Sequence, residues 1–513
     1  MAKPTVNVPL TSADFAYRAR TVQAARLGGV DEPGVPGNLG RQTYGELMRR
    51  CDGFVEALDR LGIGPGERIA IVCPNSLKFL VALWAATGSG RVLVPVNFRL
   101  GPEEVQYIVE DSEASLLLVD PELDERLAAV RAPRRIVLDG EQDAELFAPS
   151  DSGPEWPAVA EDAPATLNYT SGTTAAPKGV VLSHRSHWLN ALTIGWGFGL
   201  SEADRYLHTL PMFHVNGWGL PLAAAALGVP QVVQREVRGE SILERVEREG
   251  ISLLCGAAPV VATIEGAALA LRQAGAPVPG EGTARMVSGG APTPAPAIAQ
   301  FERATGWELI HAYGLTETGP VLTVNRVLPE EKLTPAERAE RLAAAGTPVV
   351  GVRLRIDEDG QVLSRTAKGM DGYWRRPELS AEAFEGEWLR TGDGGELTDG
   401  VLRITDRKKD LIITGGENVS SLQVESRLLE HPDVADVAVI GVPHERWGET
   451  PKALVVPRDG AAIDEAALIA FCRERLAHFK CPTSVETRES LPRTATGKLQ
   501  KYLLRAPYWP TEP

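Results

Sequence analysis

Between Tyr169 and Val181 the chain reads YTSGTTAAPKGVV. Thr170, Ser171, Thr173 and Thr174 supply hydroxyls, Gly172 and Gly179 supply backbone freedom, and Lys178 supplies a positive charge, all in a turn between two apolar stretches. Backbone N–H groups and hydroxyls in such a loop can surround phosphate oxygens while the ammonium offsets their charge. The pattern points to a triphosphate site. It does not fit a P-loop NTPase, whose G-x-x-x-x-G-K-[ST] motif is broken here by Pro177 before Lys178 and Gly179 after it.

The segment is followed in order by PMFHVNGWG (211–219), SGGAP (288–292), HAYGLTE (311–317), TGD (391–393), DRKKD (406–410), GGEN (415–418) and PRTATGK (492–498). Taken together these stretches resemble the adenylate-forming superfamily of acyl-CoA synthetases, carrier-loading adenylation domains and luciferases, and are most similar to the fatty and medium-chain acid:CoA ligases that form AMP. The resemblance covers roughly residues 40 to 505. It implies that Thr170, Ser171, Gly172, Thr173, Thr174 and Lys178 hold the β and γ phosphates of ATP, with Ala175 standing where the family usually has glycine.

The same resemblance assigns the other segments. Gly289, Gly290, Ala291 and Pro292 would receive adenine and Tyr313 would lie against it. Thr316 would contact the α-phosphate and Glu317 would help hold Mg²⁺, a hard cation that prefers carboxylate oxygen. Asp393 would accept from both ribose hydroxyls, with Arg407 as a second ribose contact. Lys409 would be a hinge between a large and a small domain. Gly415 and Gly416 would pass close to the pantetheine arm of coenzyme A. His214, Trp218, His311 and Ala312 would line the acyl pocket, Trp218 at the position of a tunnel gate. Lys498 would bridge the substrate carboxylate and the α-phosphate.

The activity so implied is ATP-dependent activation of a fatty or aryl carboxylic acid to acyl-AMP with release of pyrophosphate, then transfer to the thiol of coenzyme A. An alternative hands the adenylate to a carrier protein or another nucleophile. A third reading, a nucleotide-binding protein without catalysis, draws on Ala175 and is opposed by Glu317, Asp393, Arg407 and Lys498. A carboxylate carries the same sign as the phosphate it attacks, so the family's chemistry rests on positioning and charge stabilisation more than on an acid–base dyad.

Elements that must position these groups are legible too. Thr43 and Glu46 form a capping box, after which Tyr44, Leu47, Met48, Cys51, Val55, Leu58 and Leu61 recur at helical spacing. Apolar runs at Ile69–Cys73, Leu116–Val119 and Ile136–Leu138, interleaved with helical patterns, indicate a largely parallel α/β architecture. Asp151–Pro164 reads as a surface connection, Asp399–Gly400 as a turn, and Thr334–Glu337 as a second helix start with Pro335 at the first helical position. Val434–Val442 has strand composition, and Leu468, Phe471, Cys472, Leu476 and Phe479 form one helical stripe. The expected organisation is a large multi-subdomain α/β adenylation domain over 1–405, a hinge at 406–410 and a small mobile α+β domain over 411–513.

The chain has 513 residues, 43% hydrophobic and 24% charged, a balance that supports large cores and excludes wholesale disorder. Its 53 basic and 68 acidic side chains sum to −15, a field that repels nucleic acid and anionic lipid. Positive groups that meet an anionic ligand must therefore be few and local. The five cysteines Cys51, Cys73, Cys255, Cys472 and Cys481 form no C-x-x-C pair, which fits a reducing cytoplasm. The apolar run Leu220–Val233 is too short for a membrane span and contains Pro221 and Pro230, and no export signal opens the sequence. His184 and His187 lack a third ligand for a metal and are expected on a helix surface. The expected partners are the acid, ATP and coenzyme A, and the family allows a homodimer.

Overall fold

The computed structural model describes residues 8–153, 156–170, 177–328, 330–407, 410–415, 417–494 and 498–509. Among these residues four β-sheets organise the chain into a large N-terminal α/β domain and a smaller C-terminal one. The first sheet has nine strands, and its centre runs parallel from Leu27–Val30 through Gln231–Val233, Tyr206–His208, Leu253–Gly256, Arg285–Gly289 and Glu308–Gly314. The second has seven strands. Its parallel part, Val92–Val96, Arg68–Val72, Ala114–Val119 and Arg135–Val137, meets the antiparallel hairpin Pro164–Thr170 and Lys178–Ser183.

Parallel strands covered on both faces are uniformly apolar, and Val92–Val96 is buried at every residue. Helix Leu77–Gly88, also buried throughout, shares one core with side chains of both large sheets, among them Leu93, Leu116, Leu253 and Ile310. Ser76 caps that helix by accepting from the Phe79 N–H at 3.1 Å. The Thr43–Glu46 capping box forms and starts helix Tyr44–Arg60, whose buried stripe includes Cys51. A second box at Thr334 and Glu337 starts helix Pro335–Ala343.

A third, antiparallel sheet carries the hairpin Trp388–Thr398 and Val401–Arg407. Its two-residue turn, Asp399 at φ 51° and Gly400 at φ 79°, has both residues in the left-handed region, the twist-matched form of a tight hairpin. The fourth sheet belongs to the smaller domain. Val434–His444 pairs along its length with Gly448–Pro457. Helices Ser421–Leu428 and Glu465–Arg473 share one core with it, and Lys501–Arg505 contributes Leu504 to a second.

Two expectations are corrected. The stripe that was to include Phe479 ends earlier, because the helix stops at Arg473 and His478–Lys480 is a separate 3₁₀ turn. The following Cys481 precedes Pro482, which disfavours helical backbone, and Phe479 is left 41% exposed. His184 and His187 lie on helix His184–Gly197 but are buried, not on its surface. His184 Nδ1 lies 3.0 Å from Ser12 Oγ and His187 Nε2 lies 2.9 Å from Thr166 Oγ1, contacts that serve packing. No group of three metal-ligating side chains occurs among the described residues. No described helix is long and apolar enough to cross a membrane; Leu220–Val233 is divided into helix Leu220–Leu227 and strand Gln231–Val233.

Candidate active site

Thr170 and Lys178 stand opposite each other as the last and first residues of two antiparallel strands and form a paired base. Ser171, Gly172, Thr173, Thr174 and Ala175 lie outside the described residues. Beyond that base the short strand Gly372–Tyr373 pairs with Val180–Val181. This register sets the Lys178 ammonium 5.3 Å from the centroid of the Tyr373 ring, within range of a cation–π attraction. The Tyr373 hydroxyl donates to Glu317 Oε1 at 3.1 Å. Burial, then the neighbouring Glu317 charge, push the Tyr373 phenol up, so it stays a donor. One tyrosine thus connects the cation expected to meet phosphate with the carboxylate expected to meet a metal. A lone carboxylate suits Mg²⁺, which is usually held by one or two protein carboxylates together with phosphate oxygens and water.

The second wall is built from strand ends. Gly289 closes Arg285–Gly289 beside Ala312 of the parallel strand Glu308–Gly314. A methyl group on Gly289 would come 2.6 Å from Trp218 Cη2 and 2.7 Å from the Ala312 oxygen, so only glycine leaves room for the indole. Gly290 adopts φ +83°, and the loop carrying Ala291 and Pro292 is closed by a 2.8 Å contact between the Ser288 and Thr293 hydroxyls. Opposite them Val215, Asn216, Gly217, Trp218 and Gly219 all have positive φ, from 46° to 85°. Left-handed backbone is uncommon for non-glycine residues, and three such residues in one turn store strain. The turn is held because Asn190 Nδ2 donates to the Trp218 oxygen at 2.8 Å and Asn216 bonds to Thr166 and Asn168.

These walls converge on a cleft lined by His214, Val215, Trp218, Gly290, Ala312, Tyr313, Thr316, Pro320, Val321 and Lys498. Lys498 arrives from the smaller domain; the Thr494 N–H donates to the Lys498 oxygen at 2.7 Å and the Lys498 N–H donates to Thr494 Oγ1 at 3.1 Å. Burial, with the Lys498 charge second, holds the His214 imidazole down at about 3. It is therefore neutral beside the ammonium at physiological pH.

The pair expected to meet ribose, Asp393 and Arg407, is brought together by one hairpin. Asp393 faces Arg407 across the Trp388–Thr398 and Val401–Arg407 ladder, with Arg407 Nε 3.6 Å from Asp393 Oδ1. Tyr313 donates to the other oxygen at 2.8 Å. Burial raises the Asp393 carboxyl, against the opposing charges of Arg407 and Lys498. On a chain of charge −15, the Lys498 ammonium is a local positive group in the lining of the cleft.

One expected position differs. His311 does not line the cleft among the described residues. Its Nδ1 lies 3.0 and 3.1 Å from the Leu342 and Ala344 oxygens, two acceptors, so the ring serves to tie its strand to the segment after helix Pro335–Ala343. Gly415, expected to face the site only after the small domain turns, is here a turn glycine at φ +59° whose N–H donates to the Trp447 oxygen at 2.8 Å. Lys409 and Gly416 lie outside the described residues. Sequence reasoning missed Val215, Pro320 and Val321 in the lining, and Tyr373 and Asn190 behind it. The GYW triplet at Gly372–Trp374 and the Asn216–Gly217 turn pair were the available signals.

Fold and site together define an acid-activating, adenylate-forming ligase. The description "AMP-binding enzyme" matches residues 23–374 and "AMP-binding enzyme C-terminal domain" matches 423–498, and the chain belongs to this AMP-binding enzyme family. It is 36% identical to a feruloyl-CoA synthase from Amycolatopsis sp over 90% of this chain and 92% of that one. It is 33% identical to a 2-methylpropanoate–CoA ligase from Humulus lupulus over 98% and 96%. The crystal structure of an anthranilate CoA ligase in complex with anthranoyl-AMP is similar at a TM-score of 0.86 and 26% identity, covering 98% of each chain. The chain is an AMP-forming acid–thiol ligase that uses ATP, Mg²⁺ and coenzyme A.

Proposed function

We propose that this chain activates a compact carboxylic acid, short and branched or aryl, and that the residues of the cleft divide the work as follows. Lys178 and the loop before it hold the β and γ phosphates. Thr316 contacts the α-phosphate, Glu317 holds Mg²⁺ with the phosphates, Tyr313 and Gly289–Pro292 receive adenine, and Asp393 with Arg407 holds the ribose. The bound magnesium would neutralise phosphate charge. His214, Trp218 and Ala312 frame the acid. The observation that carries this reading is the presence of Lys498, from the smaller domain, in one cleft with His214, Gly290 and Thr316.

In the first step a carboxylate oxygen attacks the α-phosphorus, the bond to the β-phosphate oxygen breaks, and pyrophosphate leaves. Lys498 offsets the like charge of the two reactants, and no general base is required because the nucleophile is already ionised. In the second step a thiol sulfur attacks the acyl carbon, its proton passes to solvent, and AMP leaves with the bonding electrons. The proposed boundaries are 1–405, a hinge at 406–410 centred on Lys409, and 411–513, with Gly415 and Gly416 presented to the thiol after the small domain turns. In the present arrangement Asp406 Oδ2 accepts from the Ser421 N–H at 2.5 Å and from its Oγ at 2.6 Å, bonds that such a turn must keep with the small domain or exchange.

The acid class is inferred from Trp218, which ends against Gly289 and lines the cleft, and from the names of the relatives. All proposed groups lie on one chain, so a homodimer would not be needed to complete the site. A cytoplasmic location is inferred from five free, buried cysteines. The test is a panel of acids graded by length and aromaticity, assayed for acid-dependent exchange of labelled pyrophosphate into ATP and, by mass, for acyl-CoA with free coenzyme A. Exchange and acyl-CoA from small or aryl acids are expected. Exchange without acyl-CoA for any accepted acid would indicate a carrier protein or another nucleophile as acceptor.

A further inference from the structure

Three lysines among the described residues are buried: Lys78, Lys368 and Lys501. Lys78 faces Asp143 at 2.5 Å and Lys501 faces Glu425 at 2.7 Å. Lys368, only 2% exposed, has no carboxylate partner among the described residues. Its Nζ donates instead to neutral oxygens: the Val321 carbonyl at close range, the Gly319 carbonyl at 3.4 Å and Asn190 Oδ1 at 3.4 Å. Burial alone pushes this ammonium down to about 7. A buried cation without a counter-charge is a poor way to stabilise a fold, so packing does not account for a lysine here.

Of its acceptors Val321 lines the cleft, while Gly319 and Asn190 stand behind the lining. Gly319 and Val321 follow directly on Thr316 and Glu317. The same strap of chain that carries Lys368 holds this loop at two more places. The Met370 N–H donates to the Glu317 oxygen at 2.9 Å, and Gly319, at φ +71°, passes so close that a methyl group on it would stand 1.8 Å from the Lys368 oxygen. Asn190, the third acceptor, donates through Nδ2 to the Trp218 oxygen. The chain Val321–Lys368–Asn190–Trp218 therefore joins the loop on the phosphate side to the strained turn on the acyl side. It also directs the Gly319 and Val321 carbonyl oxygens to an ammonium, where they do not repel an incoming carboxylate.

We propose that Lys368 is a positioning residue that fixes the spacing between the Thr316–Val321 loop and the Trp218 turn, and so sets how the acid is seated against the α-phosphate. The inference rests on the reading of the cleft as the acyl-adenylate site. The test uses the full-length enzyme in acid-dependent pyrophosphate exchange with Lys368→Met, Lys368→Arg and Asn190→Ala. Lys368→Met, which is one atom shorter, keeps the unbranched chain and removes the donor, should raise KM for the acid by about tenfold, the effect of losing a hydrogen bond to a charged group, while KM for MgATP changes by less than about twofold. Lys368→Arg should restore part of the acid KM, and Asn190→Ala should raise it without changing KM for MgATP. A folded Lys368→Met with unchanged acid KM overturns the proposal, as does an equal fall in kcat with both KM values unchanged. Should Lys368→Met fail to fold, an unchanged acid KM in Asn190→Ala overturns it. Exchange by the wild type with unaffected variants would refute only the role of Lys368, whereas no exchange by the wild type with any acid would refute the reading of the cleft as well.

Discussion

The Asp393 carboxylate faces Arg407 across one antiparallel pair, with Nε 3.6 Å from Oδ1, while its second oxygen accepts from Tyr313 at 2.8 Å. Two residues 14 positions apart in sequence become one anion–cation unit because the Asp399–Gly400 turn fixes the register of the hairpin. A carboxylate so placed is buried and yet offers acceptor capacity to a pair of vicinal hydroxyls.

Asp393→Asn should therefore weaken nucleotide binding selectively. Asparagine retains an oxygen for Tyr313 but loses the charge that attracts Arg407, and a charge-assisted hydrogen bond contributes about 1.5 to 3 kcal/mol. KM for MgATP should rise about tenfold or more with the acid KM within about twofold. A larger effect on the acid than on ATP would contradict the ribose role.

Lys498→Ala should separate the two half-reactions. Only the first step brings two anions together, and removal of a donor that stabilises developing charge commonly costs about 10² to 10³ in rate. Acyl-AMP formation should fall by that order, and thioester formation from supplied acyl-AMP should stay within about threefold. Equal loss in both steps would refute the assignment.

Gly289 and Trp218 should behave as a coupled pair. Gly289→Ala alone drives a methyl group to 2.6 Å from the Trp218 ring and should abolish activation of the preferred acid. Trp218→Ala alone should extend the accepted acids to longer chains. The double variant should recover part of the activity, since removing the indole relieves one clash while the methyl still stands 2.7 Å from the Ala312 oxygen, and this non-additivity is the signature of residues in contact. Additive losses in kcat/KM would show that the indole does not define the acyl boundary.

Local signals explain what could be read before the fold was known. The capping boxes at Thr43 and Thr334, the Asp399–Gly400 turn and the uniformly apolar strands are short-range patterns, and each appears where its own residues dictate. The phosphate, TGD and C-terminal lysine segments were legible through their order along the chain. Long-range packing hid the remainder. His311 in a cleft motif was expected to face the acid, but its ring is taken by two carbonyls some thirty residues downstream. Lys368 carries no motif, and its partners Asn190, Gly319 and Val321 meet it only in the folded chain. Likewise, His184 and His187 were misplaced on a surface because their helix is polar enough to suggest one, while neighbouring segments cover it.

Those histidines lead to a prediction about acid stability. Burial holds His187 down at about 3, and His184 and His208 at about 4, each against an ordinary value of 6.5. Below that ordinary value the unfolded chain binds protons that the folded chain refuses. The stabilisation from each neutral ring is therefore fully present above pH 6.5 and is lost as pH falls toward its folded value, with a slope of up to about 1.4 kcal/mol per pH unit for each group. The melting temperature should drop between pH 7 and pH 5. In His187→Gln, whose amide can still meet Thr166 and does not titrate, the drop should be shallower even if the variant starts from a lower melting temperature. Parallel pH profiles for the wild type and His187→Gln would show that this buried imidazole does not link folding to proton uptake.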